Sequence, residues 1–302
     1  MIRAALMSVL LSLAACAGMP PAREKAMCAA AERFVLPPEA RNDAIAALPE
    51  TERNQLALDM VACLEDRDPE VRDGFAYETY AAMMRGNMLD TGTLRALKGR
   101  LLEKLADAVG DPEGFRGPFA ALVLSEVART DRLEPWMDPD ERSGLVAAAA
   151  VYMTRLADYR GFSDADGWRH GVAHSADIFT QLALNERLEK ADADIMLAAI
   201  ASKAGTSAHA YVFGEPARLA APVYYLAGRD FYPAESWPAW LLGLWPDDGL
   251  LRENAYQSEA ALRRLHNLTA FGEALYVTAK ASGQADRAPL ADASLDFLRS
   301  LP

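Results

Sequence analysis

The chain has 302 residues, of which 51% are hydrophobic and 25% are charged, so it carries enough apolar material for a sizeable buried core. Its 43 acidic residues outnumber its 31 basic ones, and the net charge of −12 argues against a nucleic-acid partner, because binding to a phosphate backbone depends on basic surface. The composition also excludes a disordered or collagen-like chain.

The first fifteen residues have the composition of a secretory signal. Arg3 supplies a positive charge, and the twelve residues from Ala4 to Ala15 are apolar except for two serines. This apolar segment is too short to cross a bilayer, which needs about 20 residues. We therefore expect residues 1–15 to be a signal peptide that is removed on export.

The signal ends in Leu-Ala-Ala-Cys, with the cysteine at position 16. This string resembles the bacterial lipobox, in which the cysteine thiol is lipidated and becomes the new N-terminus. The resemblance implies fatty-acyl chains such as palmitate on Cys16, a tether over residues 16–21, and a membrane partner that is reached only through this anchor. Because Ala17 follows the cysteine, it also implies delivery to the outer membrane, facing the periplasm. The alternative is an ordinary cleavage site beside an incidental cysteine.

Two cysteines remain after lipidation, at positions 28 and 63. The segments 22–35 and 51–65 that contain them are predicted to be helical, and an exported protein lies in an oxidising compartment. A disulfide between Cys28 and Cys63 would close a loop of about 36 residues and contribute roughly 3–4 kcal/mol. Two buried free thiols are the alternative.

Most of the remaining chain has the apolar spacing of helices, with apolar residues three and four positions apart and little strand-like alternation. Acidic or serine residues before a proline or an acid mark helix starts, and glycines mark helix ends. The start signals include Asp68-Pro69-Glu70, Asp138-Pro139-Asp140 and Ser163-Asp164, and the glycines placed like stops are Gly110, Gly161 and Gly205. These signals predict about ten to twelve helices, mostly about 12–22 residues long.

The predicted helices come in pairs with a loose period of about 40–50 residues, and residues 68–77 resemble the start of a HEAT repeat. We therefore expect an all-α fold in which helix pairs stack as an α-α superhelix of the HEAT or armadillo type. A compact irregular helical domain is the alternative. No linker rich in Pro, Gly or Ser divides the chain, so residues 22–302 are predicted to form a single domain.

The middle of the chain carries the histidines that are candidates for chemistry. His170, His174 and Asp177 would fall within about 60° of arc on one helix. A histidine pair at this spacing can bind one metal ion, and the aspartate could be a third ligand or could accept an imidazole N–H. His209 would complete a three-histidine site, for which zinc is the expected ion. Glu215 could then be a fourth ligand or the general base on a metal-bound water.

Other interpretations of these histidines stay open. They could be hydrogen-bonded groups of a structural polar network, or part of a metal-free ligand or catalytic site. Position 171 is glycine where a zincin would carry glutamate. The sequence also lacks the nucleophile elbow, the P-loop and the Rossmann glycine pattern.

The remaining candidates for a ligand cluster are an acid, three arginines and two aromatic residues: Asp158, Arg160, Trp168, Arg169, Tyr211 and Arg218. The arginines could clamp an anionic ligand or could pair with neighbouring acids, and we favour pairing. The aromatic rings are expected to lie mainly in the core, although some could line a groove that stacks sugars or peptides.

Several uncommon strings lie between about residues 60 and 245. They are Arg72-Asp73-Gly74 with Ala76-Tyr77, Arg116-Gly117-Pro118-Phe119-Ala120, Ser125-Glu126-Val127-Ala128-Arg129, Asp158-Tyr159-Arg160-Gly161-Phe162, Gly167-Trp168-Arg169-His170-Gly171-Val172-Ala173-His174, and His209-Ala210-Tyr211 with Gly214-Glu215. These strings resemble the bacterial family called domain of unknown function 2785. The resemblance implies a helical fold and brings no established activity.

Two functional hypotheses follow from these observations. The first is an envelope lipoprotein whose helical-repeat body presents a polar His/Asp/Arg pocket or groove to a small ligand or a protein partner. The alternative is a metal-dependent hydrolase with His170, His174 and His209 as ligands. The sequence indicates neither a substrate nor an oligomeric state.

Overall fold

Helices account for nearly all of the regular structure, as the apolar spacing predicts. The computed structural model describes residues 28–250 and 252–302 apart from residue 30, so the predicted signal peptide, Cys16 and the tether lie outside it. In chain order, the α-helices of the described residues are α1 (Pro38–Ala46), α2 (Glu50–Asp59), α3 (Glu78–Arg85), α4 (Thr91–Ala106), α5 (Arg116–Leu133), α6 (Pro139–Arg155), α7 (Gly171–Ala183), α8 (Lys190–Ala204), α9 (Glu215–Leu226), α10 (Ser236–Leu242), α11 (Glu259–Ser282) and α12 (Ala288–Ser300). A 3-10 helix spans Met60–Glu65, and a π-helix over Glu70–Tyr77 leads into α3. None of the helices in these ranges is long and apolar enough to cross a membrane.

The helices alternate between two layers. Helices α3, α5, α7, α9 and α11 pack side by side in one layer, which we call the odd layer, and α2, α4, α6 and α8 pack side by side in the other. Helix α12 covers α11 and contacts α10. Many side-chain hydrogen bonds between successive pairs join residues 41 to 49 positions apart, as in Arg85–Glu126 and Arg132–Gln181, whereas Arg41 and Glu78 near the start of the stack are 37 positions apart. The all-α fold with stacked helix pairs is therefore confirmed, and the predicted period is that of the stacking.

Small residues let α5 and α7 pack closely. Ala173 and Ala176 on α7 are completely buried, as is Ala121 on α5. A Cβ atom on Gly171, the first residue of α7, would lie 2.6 Å from a methyl carbon of Leu156 and 3.4 Å from Pro118 on α5, so a larger residue there would displace the Leu156 side chain. This close packing fixes the position of α7, the helix that carries the candidate histidines.

Several helix ends follow the predicted signals. Asp138 forms a capping box with Glu141, in which each side chain accepts the backbone N–H of the other residue. Gly205 directly follows α8. The side chain of Asp68 accepts the N–H of Glu70 at the start of the π-helix. At Asp138 and Asp68 the local side chains alone satisfy backbone groups that a helix end leaves unpaired.

The predicted helix start at Ser163-Asp164 is wrong, because this segment is a β-hairpin. Strand β1 (Phe162–Ser163) pairs antiparallel with β2 (Gly167–Trp168). The Ser163 hydroxyl accepts the N–H of Asp166, so it closes the turn between the strands instead of capping a helix. Gly161 is likewise not a helix stop, because α6 ends at Arg155 and the missing side chain of Gly161 leaves room for the ring of Phe213.

A buried arginine attaches this hairpin to the helical body. The Arg72 side chain is fully buried between the rings of Phe115 and Phe119, 4.0 and 4.7 Å from their centroids. It donates a 2.8 Å hydrogen bond to the carbonyl oxygen of Asp166 in the hairpin turn and pairs with Asp73. The planar guanidinium thus stacks and donates at once, which a lysine could not do.

The predicted disulfide is confirmed. Cys28 and Cys63 are bonded, with their Cα atoms 5.0 Å apart and 35 positions between them in the sequence. Both residues are buried, and the bond joins the start of the described chain to the 3-10 helix before α3. It therefore holds the N-terminal helices on the first pair of the stack.

Candidate functional site

The β-hairpin is joined to α7 by His170, a residue with a strained backbone conformation. The N–H groups of Arg169 and His170 donate to the carbonyl oxygens of Gly161 and Arg160, which extends the hairpin pairing to the first residue before the helix. His170 then adopts the left-handed conformation, with φ 58° and ψ 36°. Among the described residues, only His170 and Asn87 have a positive φ without being glycine. Such a conformation costs about 1–2 kcal/mol and is found most often at functional sites.

The His170 ring is buried and has no hydrogen bond. The residue exposes 7% of its surface, and its Nδ1 atom is buried without a partner. Its ring lies 4.8 Å from that of Trp168 and 5.7 Å from that of His174. Burial lowers the pKa of His170, with Glu215 opposing this effect and Arg218 adding to it. The ring is therefore neutral at pH 7, with one nitrogen able to donate and the other able to accept.

His174 is held by the protein itself. Its Nδ1 lies 3.1 Å from the carbonyl oxygen of Pro118 and so carries the proton, and its ring packs edge-on against Phe119. Burial, with a further contribution from His170, lowers the pKa of His174 to about 3. These contacts support the structural-network interpretation for His174, because its ring is satisfied and enclosed.

Two ion pairs cross the odd layer beside the histidines. Arg218 on α9 contacts Asp177 on α7 at 2.5 Å, and Arg85 on α3 contacts Glu126 on α5 at 2.5 Å. Each arginine exposes 54% of its side chain, whereas Asp177 exposes 17% and Glu126 exposes 6%. Burial raises the pKa of Asp177 to about 6; Arg218 opposes this rise and Glu126 adds to it. The guanidinium groups of Arg218 and Arg85 therefore lie at the surface, and the carboxylates that they contact are more deeply buried.

Exposed aromatic rings flank His170. Trp168 exposes 40% of its surface, and its ring lies 5.1 Å from Phe162 and 5.9 Å from Phe213. The backbone N–H of Phe213 donates to the carboxylate of Glu215, which is itself buried at the first residue of α9. We call Trp168, His170, Phe213, Glu215 and Arg218 the His170 cluster. It combines flat apolar surface with a neutral imidazole and an exposed guanidinium.

The structure does not assemble the predicted zinc site. No three His, Cys, Asp or Glu side chains in the described part of the chain are arranged to hold a metal ion. His170 precedes α7 in a left-handed turn and so departs from the helical register on which the prediction rested. The Nδ1 of His174 is engaged by a carbonyl oxygen, and Asp177 is engaged by Arg218.

His209 belongs to a different set of contacts. Its ring stacks on Tyr159 at 5.6 Å with an angle of 9° between the planes, and its Nε2 is buried without a partner. The loop around it is held by Asn267, whose amide donates to the carbonyl oxygen of His209 and accepts the N–H of Tyr211. Tyr211 is buried, and its hydroxyl donates to the carbonyl oxygen of Lys203. Tyr211 is therefore a packing residue of this loop, and the ring of His209 is held away from the His170 and His174 rings by its stacking on Tyr159.

The other two predicted arginines pair with local acids, as we favoured. Arg160 binds Asp158 at 2.6 Å, and hydrogen bonds from Arg160 outweigh burial and lower the pKa of Asp158. Arg169 stacks 4.3 Å over Phe115 and contacts Asp166 at 3.2 Å. The side chains of Asp158, Arg160 and Arg169 position the hairpin and the loop before it. Arg218 exposes 54% of its side chain, against 48% for Arg160 and 6% for Arg169.

Sequence reasoning did not single out Arg85, Glu126, Phe162 or Phe213 as site residues. Glu126 was detectable in principle, because it occupies an otherwise apolar face of α5 between Val123 and Val127, where a buried acid needs a partner. The exposure of Phe162 and Phe213 depends on the hairpin, which the local sequence did not predict.

Comparison with known proteins places the site within a family. The family described as Protein of unknown function (DUF2785) matches residues 100–277, from within α4 to within α11, and this range contains the whole His170 cluster. No curated protein and no solved structure matches the chain. The expected resemblance over about residues 60–245 is thus confirmed, with its boundaries further along the chain. Because the match covers more than half of the sequence, the chain belongs to the DUF2785 family.

Proposed function

We propose that this protein is an envelope lipoprotein whose helical body binds a small ligand at the His170 cluster. The observation that carries the proposal is the state of His170: a strained, buried and neutral imidazole without a hydrogen bond, next to exposed aromatic rings. A buried polar group without a partner costs about 1–3 kcal/mol. A ligand that supplies the missing hydrogen bond would recover this free energy on binding.

The surrounding side chains define the chemistry of the ligand. Trp168 and Phe213 offer flat apolar surface for a ring or an acyl chain. Arg218 keeps donors free because Asp177 engages it through one nitrogen, and these donors favour an acceptor or an anionic group on the same ligand. The neutral His170 favours a hydroxyl or an amide. A ring compound with a hydrogen-bonding group and an acidic group fits all three.

The location is the second part of the proposal. The Leu-Ala-Ala-Cys string supports lipidation at Cys16 and attachment to the outer membrane, facing the periplasm. The Cys28–Cys63 disulfide is consistent with an oxidising compartment. In this position the body would be held close to the membrane while the His170 cluster samples periplasmic solutes.

Native mass spectrometry tests the ligand-binding part. The purified body is incubated with a small-molecule extract of the producing cell envelope and compared with His170→Gly and with Arg299→Gln, whose arginine lies exposed on α12. We expect the wild type and Arg299→Gln to carry an adduct of the same mass and His170→Gly to carry none. A wild type without an adduct, or the same adduct on His170→Gly, would contradict the proposal.

Fractionation tests the location. We expect the wild-type protein in the outer-membrane fraction, with acyl chains on the peptide that begins at residue 16, and Cys16→Ser without acyl chains and uncleaved. Arg299→Gln serves as the control, because it changes an exposed residue on α12 and leaves the signal and all three cysteines intact. An unacylated wild-type protein that is released to the periplasm would refute the anchor and leave the ligand-binding proposal standing.

A further inference from the structure

A large cleft lies away from the His170 cluster, at the C-terminal ends of α3 and α5 and the start of α4. Its volume is about 730 Å³, which is within the range of small-molecule sites. Among the residues that line it are Arg53, Arg85, Asn87, Arg129, Thr130 and Trp136. We infer that this cleft binds an oxyanion, the carboxylate or phosphate group of a small molecule, through the guanidinium of Arg129.

Arg129 has no counter-ion, although the protein is strongly acidic. No hydrogen bond or ion pair joins its side chain to any of the described residues, and it is partly buried on α5. Three acids line the same cleft, and none of them contacts Arg129: Glu50 is exposed at the start of α2, and the other two accept hydrogen bonds from other groups. Asp90 caps α4 by accepting the N–H of Thr93, and Glu134 accepts a hydrogen bond from Asn87. The chain has 43 acidic residues, yet none of the described ones pairs with this partly buried guanidinium. An unpaired charge in such a position indicates a binding place for an external anion.

A second cation adds to the positive field near Arg129. Arg132 follows one turn later on α5, and burial followed by the charge of Arg129 lowers the pKa of Arg132. The Arg132 Nε donates to the side-chain amide oxygen of Gln181, which is neutral, so this hydrogen bond does not offset the positive charge of Arg132. Arg53, which also lines the cleft, donates to the carbonyl oxygens of Met88 and Leu48. Of the arginines that line the cleft, Arg53 is held by neutral groups, Arg85 pairs with Glu126, and Arg129 has no partner among the described residues.

The geometry of the guanidinium sets the class of ligand. A guanidinium binds the two oxygens of a carboxylate or a phosphate through two parallel N–H donors. Trp136 provides an apolar wall for the rest of the molecule, and its ring is fixed by an indole N–H that donates to the Thr130 hydroxyl. None of the five residues of the His170 cluster lines this cleft, so the inference stands or falls separately from the proposed function.

An NMR titration with simple anions tests the inference. Sodium phosphate and sodium succinate are titrated separately into the wild-type protein, with sodium chloride keeping the ionic strength constant, and the Arg129 Nε–H and Thr130 amide signals are followed. We expect saturable shifts of both signals with at least one of the two anions. Arg129→Gln should weaken that anion's affinity at least tenfold, as expected for a charge-assisted pair.

Two variants make the result decisive. Arg299→Gln changes the net charge equally but lies on α12, none of whose residues lines the cleft, so it should bind like the wild type. Arg129→Lys keeps the charge and loses the paired donors, so its affinity should fall between those of the wild type and Arg129→Gln. The inference is overturned if neither anion binds saturably, if Arg129→Gln weakens binding less than tenfold, or if Arg299→Gln weakens it as much.

Discussion

The two neighbouring histidines of the candidate site should respond in opposite ways to removal of their rings. His170 is strained and unpaired, whereas His174 is enclosed and donates to Pro118. The account therefore predicts that His170→Gly leaves the free energy of unfolding nearly unchanged and that His174→Ala lowers it strongly. The pair is matched, because both rings are more than nine-tenths buried and lie 5.7 Å apart.

The magnitudes follow from the environment of each ring. For His170→Gly, relief of the left-handed backbone contributes about 1–2 kcal/mol, and removal of the unpaired nitrogen about 1–3 kcal/mol. These gains oppose the loss of about 1.5–3 kcal/mol of ring burial and about 0.5–1 kcal/mol of glycine entropy. The midpoints of these gains and losses differ by about 0.5 kcal/mol, so the free energy of unfolding is expected to change little. His174→Ala opens a cavity and orphans a carbonyl oxygen, at a cost of about 3–5 kcal/mol.

Urea unfolding followed by circular dichroism measures both changes, and thermal melting gives a second readout. A loss of about 3–5 kcal/mol corresponds to roughly 6–20 °C in Tm for a domain of this size. If His170→Gly loses as much stability as His174→Ala, His170 is a packing residue and the main support for ligand binding disappears. If His174→Ala is neutral, the assignment of His174 to the structural network is wrong.

Three further predictions concern the framework around the site. The first concerns Asp177, whose pKa in the folded protein is raised to about 6. Because the unfolded state then loses the proton of this carboxyl at a lower pH than the folded state, the stability of the wild type falls between about pH 4 and 6, whereas Asp177→Asn has no proton to lose. The Tm of Asp177→Asn minus that of the wild type should therefore rise from pH 4 to pH 7, and a constant or falling difference would refute this. Replacing Cys28 and Cys63 with alanine should lower the free energy of unfolding by roughly 3–4 kcal/mol in urea, and a change below about 1 kcal/mol would show that the bond contributes little. Arg72→Met should cost about 3–5 kcal/mol in the same assay, because it strands Asp73 and three carbonyl oxygens; an effect as small as that of the exposed Arg299→Gln would contradict its anchoring role.

Features that depend on nearby residues were accessible from the sequence. The helical spacing, the capping box at Asp138 and the helix end at Gly205 each involve groups within one or two turns of chain. The cysteine pair was accessible for another reason, since the export signal and the even count of cysteines pointed to a disulfide. Each of these predictions therefore rested on residues whose chemistry is visible in the sequence itself.

The site depended on contacts that the local sequence does not contain. Arg85–Glu126 and Asp177–Arg218 each join residues 41 positions apart on neighbouring helices, so the stacking of the helix pairs brings them together. The period of about 40–50 residues could have suggested such pairs, but the period alone does not say which face of each helix is exposed. His170 was assigned to a helix because its sequence is compatible with one, whereas the hairpin before it forces a left-handed turn.

The most direct test of the account is the response of the His170 ring nitrogens to ligand. With histidine labelled with ¹⁵N, the ring signals of the wild-type body are recorded before and after addition of the envelope small-molecule extract. We predict that the His170 nitrogens shift while those of His174, held by Pro118, stay in place. A His170 signal that does not move when the extract is added would contradict the claim that this cluster is a binding site.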